Sequence, residues 1–174
     1  MLVILFGLAG SGKNYVGQIF KKYSNFHFWD ADVLLTEEMK ECISKKQSFT
    51  QNMRDNYTDI IIKHIKTLTA KHENVVISQG LYKNQNREQI FSQYPNALFL
   101  RIVTEPQVWL NRLKKRNNAI DENYAIQMSL NFEPPIHHYY DINNNTENSD
   151  SVIIDQLTTI PILTKNFPKS YQTS

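Results

Sequence analysis

Two short stretches and a few scattered arginines carry the residue types that handle phosphate. The first stretch is Gly7-Leu8-Ala9-Gly10-Ser11-Gly12-Lys13-Asn14. Gly7, Gly12 and Lys13 have the G-x-x-x-x-G-K spacing of a phosphate-binding loop, whose glycines let the backbone curl until successive N–H groups face phosphate oxygens. Ala9, Gly10 and Ser11 would complete that cradle, and a helix N-terminus beyond it would add positive potential. Lys13 would bridge the β- and γ-phosphates. The alternative is a glycine-rich turn with a solvated lysine. The pattern normally ends in Ser or Thr, whose hydroxyl ligates magnesium, and here it ends in Asn14. An amide oxygen can ligate Mg²⁺ but stands one bond farther out, so it reaches the ion directly or through a water.

The second stretch is Phe28-Trp29-Asp30-Ala31-Asp32. A carboxylate at the end of a strand can hold a magnesium water or accept a proton from an attacking hydroxyl. It can equally cap the helix that follows. Arg54 stands beside Asp55, where an exposed charge pair is the plain explanation. Arg112, Lys114, Lys115 and Arg116 crowd one helix end, where cations suit the dipole. They also precede Asn117-Asn118, and a moving segment that carries arginines could close over phosphates and supply transition-state charge. His137 and His138 lack ligand spacing with any Cys or His cluster and read as structural.

These residues need a frame, and the hydrophobic pattern supplies one. Leu2–Phe6 is a continuous apolar run, as in a strand covered on both faces. A helix is expected from Lys13, with Val16, Ile19, Phe20 and Tyr23 on one face. Phe26–Trp29 reads as a second strand, followed by a helix over about Val33–Lys45. A longer helix starts near Thr50, its expected N-cap, with Met53, Tyr57, Ile60, Ile61, His64, Ile65 and Leu68 as its apolar face. Val75–Ser78 and Ala97–Val103 read as strands three and four, and His137–Ile142 as the fifth. Further helices are expected near Arg87–Gln93, Gln107–Arg116, Glu122–Asn131 and Val152–Leu157. Past Pro161 the sequence reads as a loosely held tail. Strands alternating with helices predict a parallel sheet covered on both faces, an α/β fold.

Bulk properties set the limits. The chain has 174 residues, enough for one domain with a sizeable core, and its 41% apolar and 21% charged content is that of an ordinary globular protein. A net charge of +2 does not call for a nucleic-acid or membrane partner. The single cysteine, Cys42, excludes an internal disulfide. The apolar start has no preceding Lys or Arg and is broken at Gly7, so it does not read as a secretion signal, and no run is long enough to span a membrane. A cytoplasmic monomer or homodimer is expected.

Taken together, the motifs resemble those of the small P-loop kinases of metabolites, gluconokinases more than shikimate kinases, over about Leu2–Leu157. The Gly7–Lys13 loop fits that family's P-loop, and Phe28–Asp32 fits its "F-x-D-x-D". Phe49-Thr50-Gln51-Asn52-Met53-Arg54 fits "L-T-D-x-D-R", Trp109–Arg116 fits the start of the lid, and Phe132-Glu133-Pro134-Pro135 is similar to the gluconokinase "L-E-P-P". The resemblance implies a nucleoside-monophosphate-kinase-like P-loop fold with a five-stranded parallel sheet. It implies one domain over 1–160, with a helical substrate-binding insertion near 33–72, a lid near 112–131 and a tail over 161–174. It implies ATP and Mg²⁺, with a small, acidic acceptor. Carried over, Asp32 would bind the acceptor hydroxyl and act as base, and Asp30 with Asn14 would hold magnesium. Arg54, with Gly80 and Lys83, would bind the acceptor, and Arg112 and Arg116 would bring charge to the nucleotide.

Departures fall around the acceptor. Asp30-Ala31-Asp32-Val33-Leu34-Leu35 stands where gluconokinases read "D-G-D-D-L-H". Gln79-Gly80-Leu81-Tyr82 replaces "S-A-L-K", with the lysine one place later at Lys83, and Asn117-Asn118 replaces the lid's Gly-His. The leading expectation is therefore ATP-dependent phosphorylation of a sugar acid or similar metabolite. The alternatives are a nucleotide-binding pseudokinase, or a kinase of nucleosides, nucleotides or polynucleotides.

Overall fold

Leu2–Phe6, the first strand β1, lies at the centre of a five-stranded parallel sheet in the computed structural model, which describes residues 1–115, 120–145 and 149–167. The other strands are β2 (His27–Asp30), β3 (Val75–Ser78), β4 (Leu98–Val103) and β5 (Tyr140–Asn143), in the order β2-β3-β1-β4-β5. Seven α-helices join or follow them among the described residues: α1 (Lys13–Tyr23), α2 (Glu37–Ser44), α3 (Gln51–Thr69), α4 (Asn84–Gln93), α5 (Pro106–Lys114), α6 (Glu122–Ser129) and α7 (Asp150–Thr158).

All five residues of β1 are buried, and their alternation along the strand divides them between two cores. Val3 and Leu5 pack with Val16 and Phe20 of α1 and with Ile153, Ile154 and Leu157 of α7. Ile4 and Phe6 pack with Ile61 and Ile65 of α3 and Ile90 of α4. The continuous apolar run is thus the signature of a strand with helices on both sides. Every strand points its carboxyl end to the same side of the sheet, where open α/β folds collect their ligands. No helix among the described residues is long and apolar enough to cross a membrane.

Four expectations need correcting. The helix expected over Val33–Lys45 is two elements, a 3-10 turn at Ala31–Leu34 and then α2. Thr36 separates them, because it sits in extended conformation and caps α2 by accepting from Met39 N–H at 3.2 Å. Helix α4 begins at Asn84, three residues before Arg87, which is itself buried. The fifth strand starts at Tyr140, since His137 turns away to pair with Glu88 and stack on Phe91. Residues 161–167 are not a loose tail. Ile160, Leu163 and Phe167 recur at i, i+3 and i+7, all three are buried in the β1–α1–α7 core, and Phe167 meets Phe20 edge-on at 5.4 Å.

Truncating Phe167 to Ala removes a ring from that core and should cost about 3–5 kcal/mol in urea unfolding, whereas Ile162→Ala, at an exposed neighbour, should stay within about 0.5 kcal/mol. At the sheet edge, His27 of β2 stacks on His72 at 4.0 Å. Burial, then His72, Lys21 and His64, hold the His27 pKa below its ordinary 6.5. The folded state therefore resists a proton that the unfolded chain accepts. This contribution is intact above pH 6.5 and shrinks as pH falls below it, so wild type should lose more stability than His27→Asn between pH 7.5 and pH 5.

Candidate functional site

The chain leaves β1 through Gly7, whose φ of +141° and lack of side chain are both needed: a Cβ there would lie 2.6 Å from the Ile102 carbonyl oxygen. It then curls through residues 8–12 into α1. Gly12 takes the N-cap position in left-handed conformation (φ +90°), and a Cβ on it would meet the Asn144 amide at 2.0 Å. No side chain caps α1, and its first turn has no acidic residue. A helix start left in this condition offers N–H groups and positive potential to an anion.

Donors from outside the loop take its carbonyls. Trp109 Nε1 donates to Ala9 O at 2.7 Å, and Asn144 Nδ2 and Thr104 Oγ1 donate to Ser11 O at 2.9 and 3.1 Å. The Tyr82 hydroxyl accepts the Ala9 N–H at 2.9 Å. Among the described residues the N–H groups of Gly10 and Gly12 have no acceptor. Lys13 folds back on the loop, its Nζ donating to Gly7 O at 3.2 Å and Leu8 O at 3.0 Å. The Ser11 Oγ and Asn144 Oδ1 atoms are buried without hydrogen bonds.

Asn14 is braced between two strand ends. Its amide nitrogen donates to Asp30 Oδ2, and its amide oxygen accepts from Ser78 Oγ. Asp30 Oδ1 also accepts the Asp32 N–H at 3.1 Å, capping the 3-10 turn. The capping reading of Asp30 is therefore seen directly, and its carboxylate faces the loop as well. Asp30 and Asn14 are thereby brought together at the carboxyl ends of β2 and β3.

Beside the loop opens a pocket whose lining includes Ala9, Lys13, Asp32, Arg54 and Gly80. Arg54 comes from the first turn of α3, which Thr50 caps by accepting from Met53 N–H at 3.2 Å. The expected pairing of Arg54 with Asp55 does not form. Asp55 instead accepts from Gln51, Asn86 and Gln85 at 2.7, 2.8 and 3.0 Å. The Arg54 guanidinium lies 5.4 Å from the Phe49 ring centre and 5.9 Å from that of Tyr82, and among the described residues it has no carboxylate and no hydrogen-bond acceptor. Burial lowers its pKa, outweighing Tyr82, Tyr124 and Glu133, whose charges pull it the other way.

Other candidates fall elsewhere. Lys83 is outside this pocket and paired with Glu133 at 3.1 Å, and Glu133 also accepts the Asn84 N–H at 2.7 Å. That amide bond first, then Lys83, keeps the Glu133 carboxyl below its ordinary range. Arg112 lies on the outer side of the loop, 3.4 Å from Thr104 Oγ1 and near Gly12. Arg116 and Asn117-Asn118 lie outside the described residues. Sequence reasoning missed Tyr82, Thr104, Trp109 and Asn144, all of which hold the loop. Asn144 sits in an Asn-rich run without apolar periodicity, and its place just past a strand's carboxyl end was the one available signal. Tyr82 follows Leu81, a non-glycine residue held at φ +45°, a conformation that clusters at functional sites.

Comparison with known proteins bears on the family and the fold. A family model described as "AAA domain" matches residues 3–129. The Dictyostelium discoideum "Probable gluconokinase" is 25% identical over 162 residues, 84% of this chain and 81% of that protein. A shikimate kinase from Sulfurihydrogenibium sp. (strain YO3AOP1) is 30% identical over 114 residues, 64% of this chain and 66% of that protein. Among solved structures, a sugar kinase from Janibacter sp. HTCC2649 superposes with a TM-score of 0.78 at 16% identity, covering 99% of this chain and 98% of that one, which bears on the fold. The chain belongs to the AAA domain family, as a P-loop kinase domain with gluconokinase and shikimate kinase relatives.

Proposed function

We propose that this protein transfers the γ-phosphoryl group of ATP to a hydroxyl of a small acidic metabolite. The observation that carries the reading is Arg54, a half-buried cation beside the Phe49 and Tyr82 rings with no ion pair and no hydrogen-bond acceptor among the described residues, in the same pocket as Lys13 and Asp32. An uncompensated charge there costs free energy unless an anion completes it. The Gly7–Asn14 loop is the triphosphate cradle, and Lys13 exchanges its two loop carbonyls for phosphate oxygens. Asp32 takes the proton of the acceptor hydroxyl as that oxygen bonds to the γ-phosphorus and the bond to the ADP oxygen breaks. Arg54 and Gly80 place the acceptor. Arg112 and Arg116 bring charge to the nucleotide, the second from the lid near 112–131. The helical insertion near 33–72 walls the acceptor side.

Magnesium fits the donor set. The Asp30 carboxylate and the Asn14 amide oxygen are hard oxygen donors on side chains joined through the Asn14 amide nitrogen, with the amide oxygen resting on the Ser78 hydroxyl. Among the described residues no group of three or more His, Cys, Asp or Glu could cage a metal alone. Mg²⁺ suits such a partial site, since it binds through one or two protein oxygens plus phosphates and waters. Asp30 and Asn14 would hold it, and it would supply positive charge to the phosphates.

Three substitutions separate these roles. Lys13→Ala should weaken ATP binding roughly tenfold to a hundredfold in calorimetry while the domain stays folded. Asp32→Asn should cut turnover by about 10²–10⁴ with ATP affinity retained, and full activity in that variant would reduce Asp32 to a local structural residue. Asn14→Ser restores a hydroxyl and releases Asp30 from the amide, so half-maximal turnover should need less Mg²⁺. Loss of an activity that the native protein has would instead make Asn14 a dedicated ligand. A native protein that binds ATP but turns over no acceptor, and gains no turnover from Asn14→Ser, would be the nucleotide-binding pseudokinase.

A further inference from the structure

The pocket around Asp32 and Arg54 is poorly furnished for a polyhydroxylated chain. Its walls include Leu35, Met39, Ile43, Phe49, Leu81 and Met128. Most of its polar side chains are already committed. The Tyr57 hydroxyl donates to Ala31 O, and the Thr58 hydroxyl to Arg54 O at 2.8 Å. Asn86 accepts from Gln51 and donates to Asp55, and Gln79 Oε1 accepts the Leu81 N–H. The Tyr82 hydroxyl is engaged with Ala9 N–H.

The ionisable lining is equally sparse: Lys13 and Arg54 against Asp32. With Lys13 given to the nucleotide, one cation among the described residues is left for the acceptor. A single guanidinium matches a planar carboxylate through two parallel hydrogen bonds. We propose that the acceptor is a compact alcohol carrying one carboxylate on a largely hydrocarbon body, and that this pocket discriminates against open-chain sugar acids. Each further hydroxyl would exchange water for a methyl or methylene wall, at a cost of roughly tenfold or more in affinity. The proposal rests on the phosphoryl-transfer reading of the same pocket.

The test is calorimetric titration of the full chain with Mg²⁺ and the non-hydrolysable analogue AMPPNP present. The probes are 3-hydroxycyclohexanecarboxylate, its methyl ester and gluconate. The hydroxy acid should bind about tenfold or more tightly than either of the others. Arg54→Gln should erase the difference between acid and ester, and Leu35→Gln, at a half-buried wall position, should narrow the gap to gluconate. Gluconate binding as tightly as the hydroxy acid overturns the proposal. So does absence of hydroxy-acid binding at millimolar concentration in protein that still binds nucleotide. ADP release from ATP is followed separately. Selective binding that never yields ADP and phosphorylated product removes the kinase reading and leaves the pocket's selectivity standing, while efficient transfer to gluconate does the reverse.

Discussion

β1 is covered on both faces, and it delivers the chain into a loop that has almost no room to relax. The Ile102 carbonyl closes one side of Gly7 and the Asn144 amide closes one side of Gly12. Between them the carbonyls of Ala9 and Ser11 are taken by Trp109, Thr104 and Asn144. Buried backbone polar groups must find partners, and here the partners all sit behind the loop. That one-sided capture fixes which way the peptide planes face. The N–H groups of Gly10 and Gly12 and the start of α1 are left without acceptors or a side-chain cap among the described residues, next to the pocket that Lys13, Asp32 and Arg54 line. The geometry of the pocket thus follows from how the loop is fastened.

The acceptor side is built by a different principle. α3 is capped by its own Thr50 and anchored through Tyr57, Ile61 and Ile65, and its first turn holds Arg54 out of ion-pair contact with the carboxylates of the described residues. Asp55, the obvious neighbour, is occupied by three amides. Glu133, the next acid in reach of the same region, is held by Lys83 and the Asn84 N–H. These two acids are engaged elsewhere, and among the described residues the arginine forms no ion pair. An arrangement of this kind is costly for stability alone and makes sense as preparation for a ligand.

Features whose causes are local were readable from sequence. The ends read for β1 and β3 match the strands residue for residue, because burial on both faces makes their bodies continuous apolar runs, closed in β3 by Ser78. Thr50 reads as a cap because its hydroxyl acts within three residues of itself. The loop reads because its glycine positions are forced by backbone geometry. What escaped depends on distance. Tyr82, Trp109 and Asn144 reach the loop from other segments, and no periodicity marks a side chain whose partner is a backbone N–H or carbonyl 73, 100 or 133 positions away. The end of the chain was misread for a related reason: Ile160, Leu163 and Phe167 lie among polar residues, and only the groove beside α1 gives their spacing a meaning.

The bond from Asn144 to Ser11 spans 133 positions, and the one from Trp109 to Ala9 spans 100. During synthesis the chain emerges amino end first, so the Gly7–Lys13 loop leaves the ribosome long before the residues that shape it. β1 needs β4 on one side and β3 on the other, and only after β5 has followed can Asn144 reach Ser11. A nascent chain therefore carries the complete phosphate-loop sequence without the phosphate-loop conformation. Such long sequence separations belong to slower-folding topologies, and they make ATP recognition a late event in the birth of this protein, dependent on the last strand of its sheet.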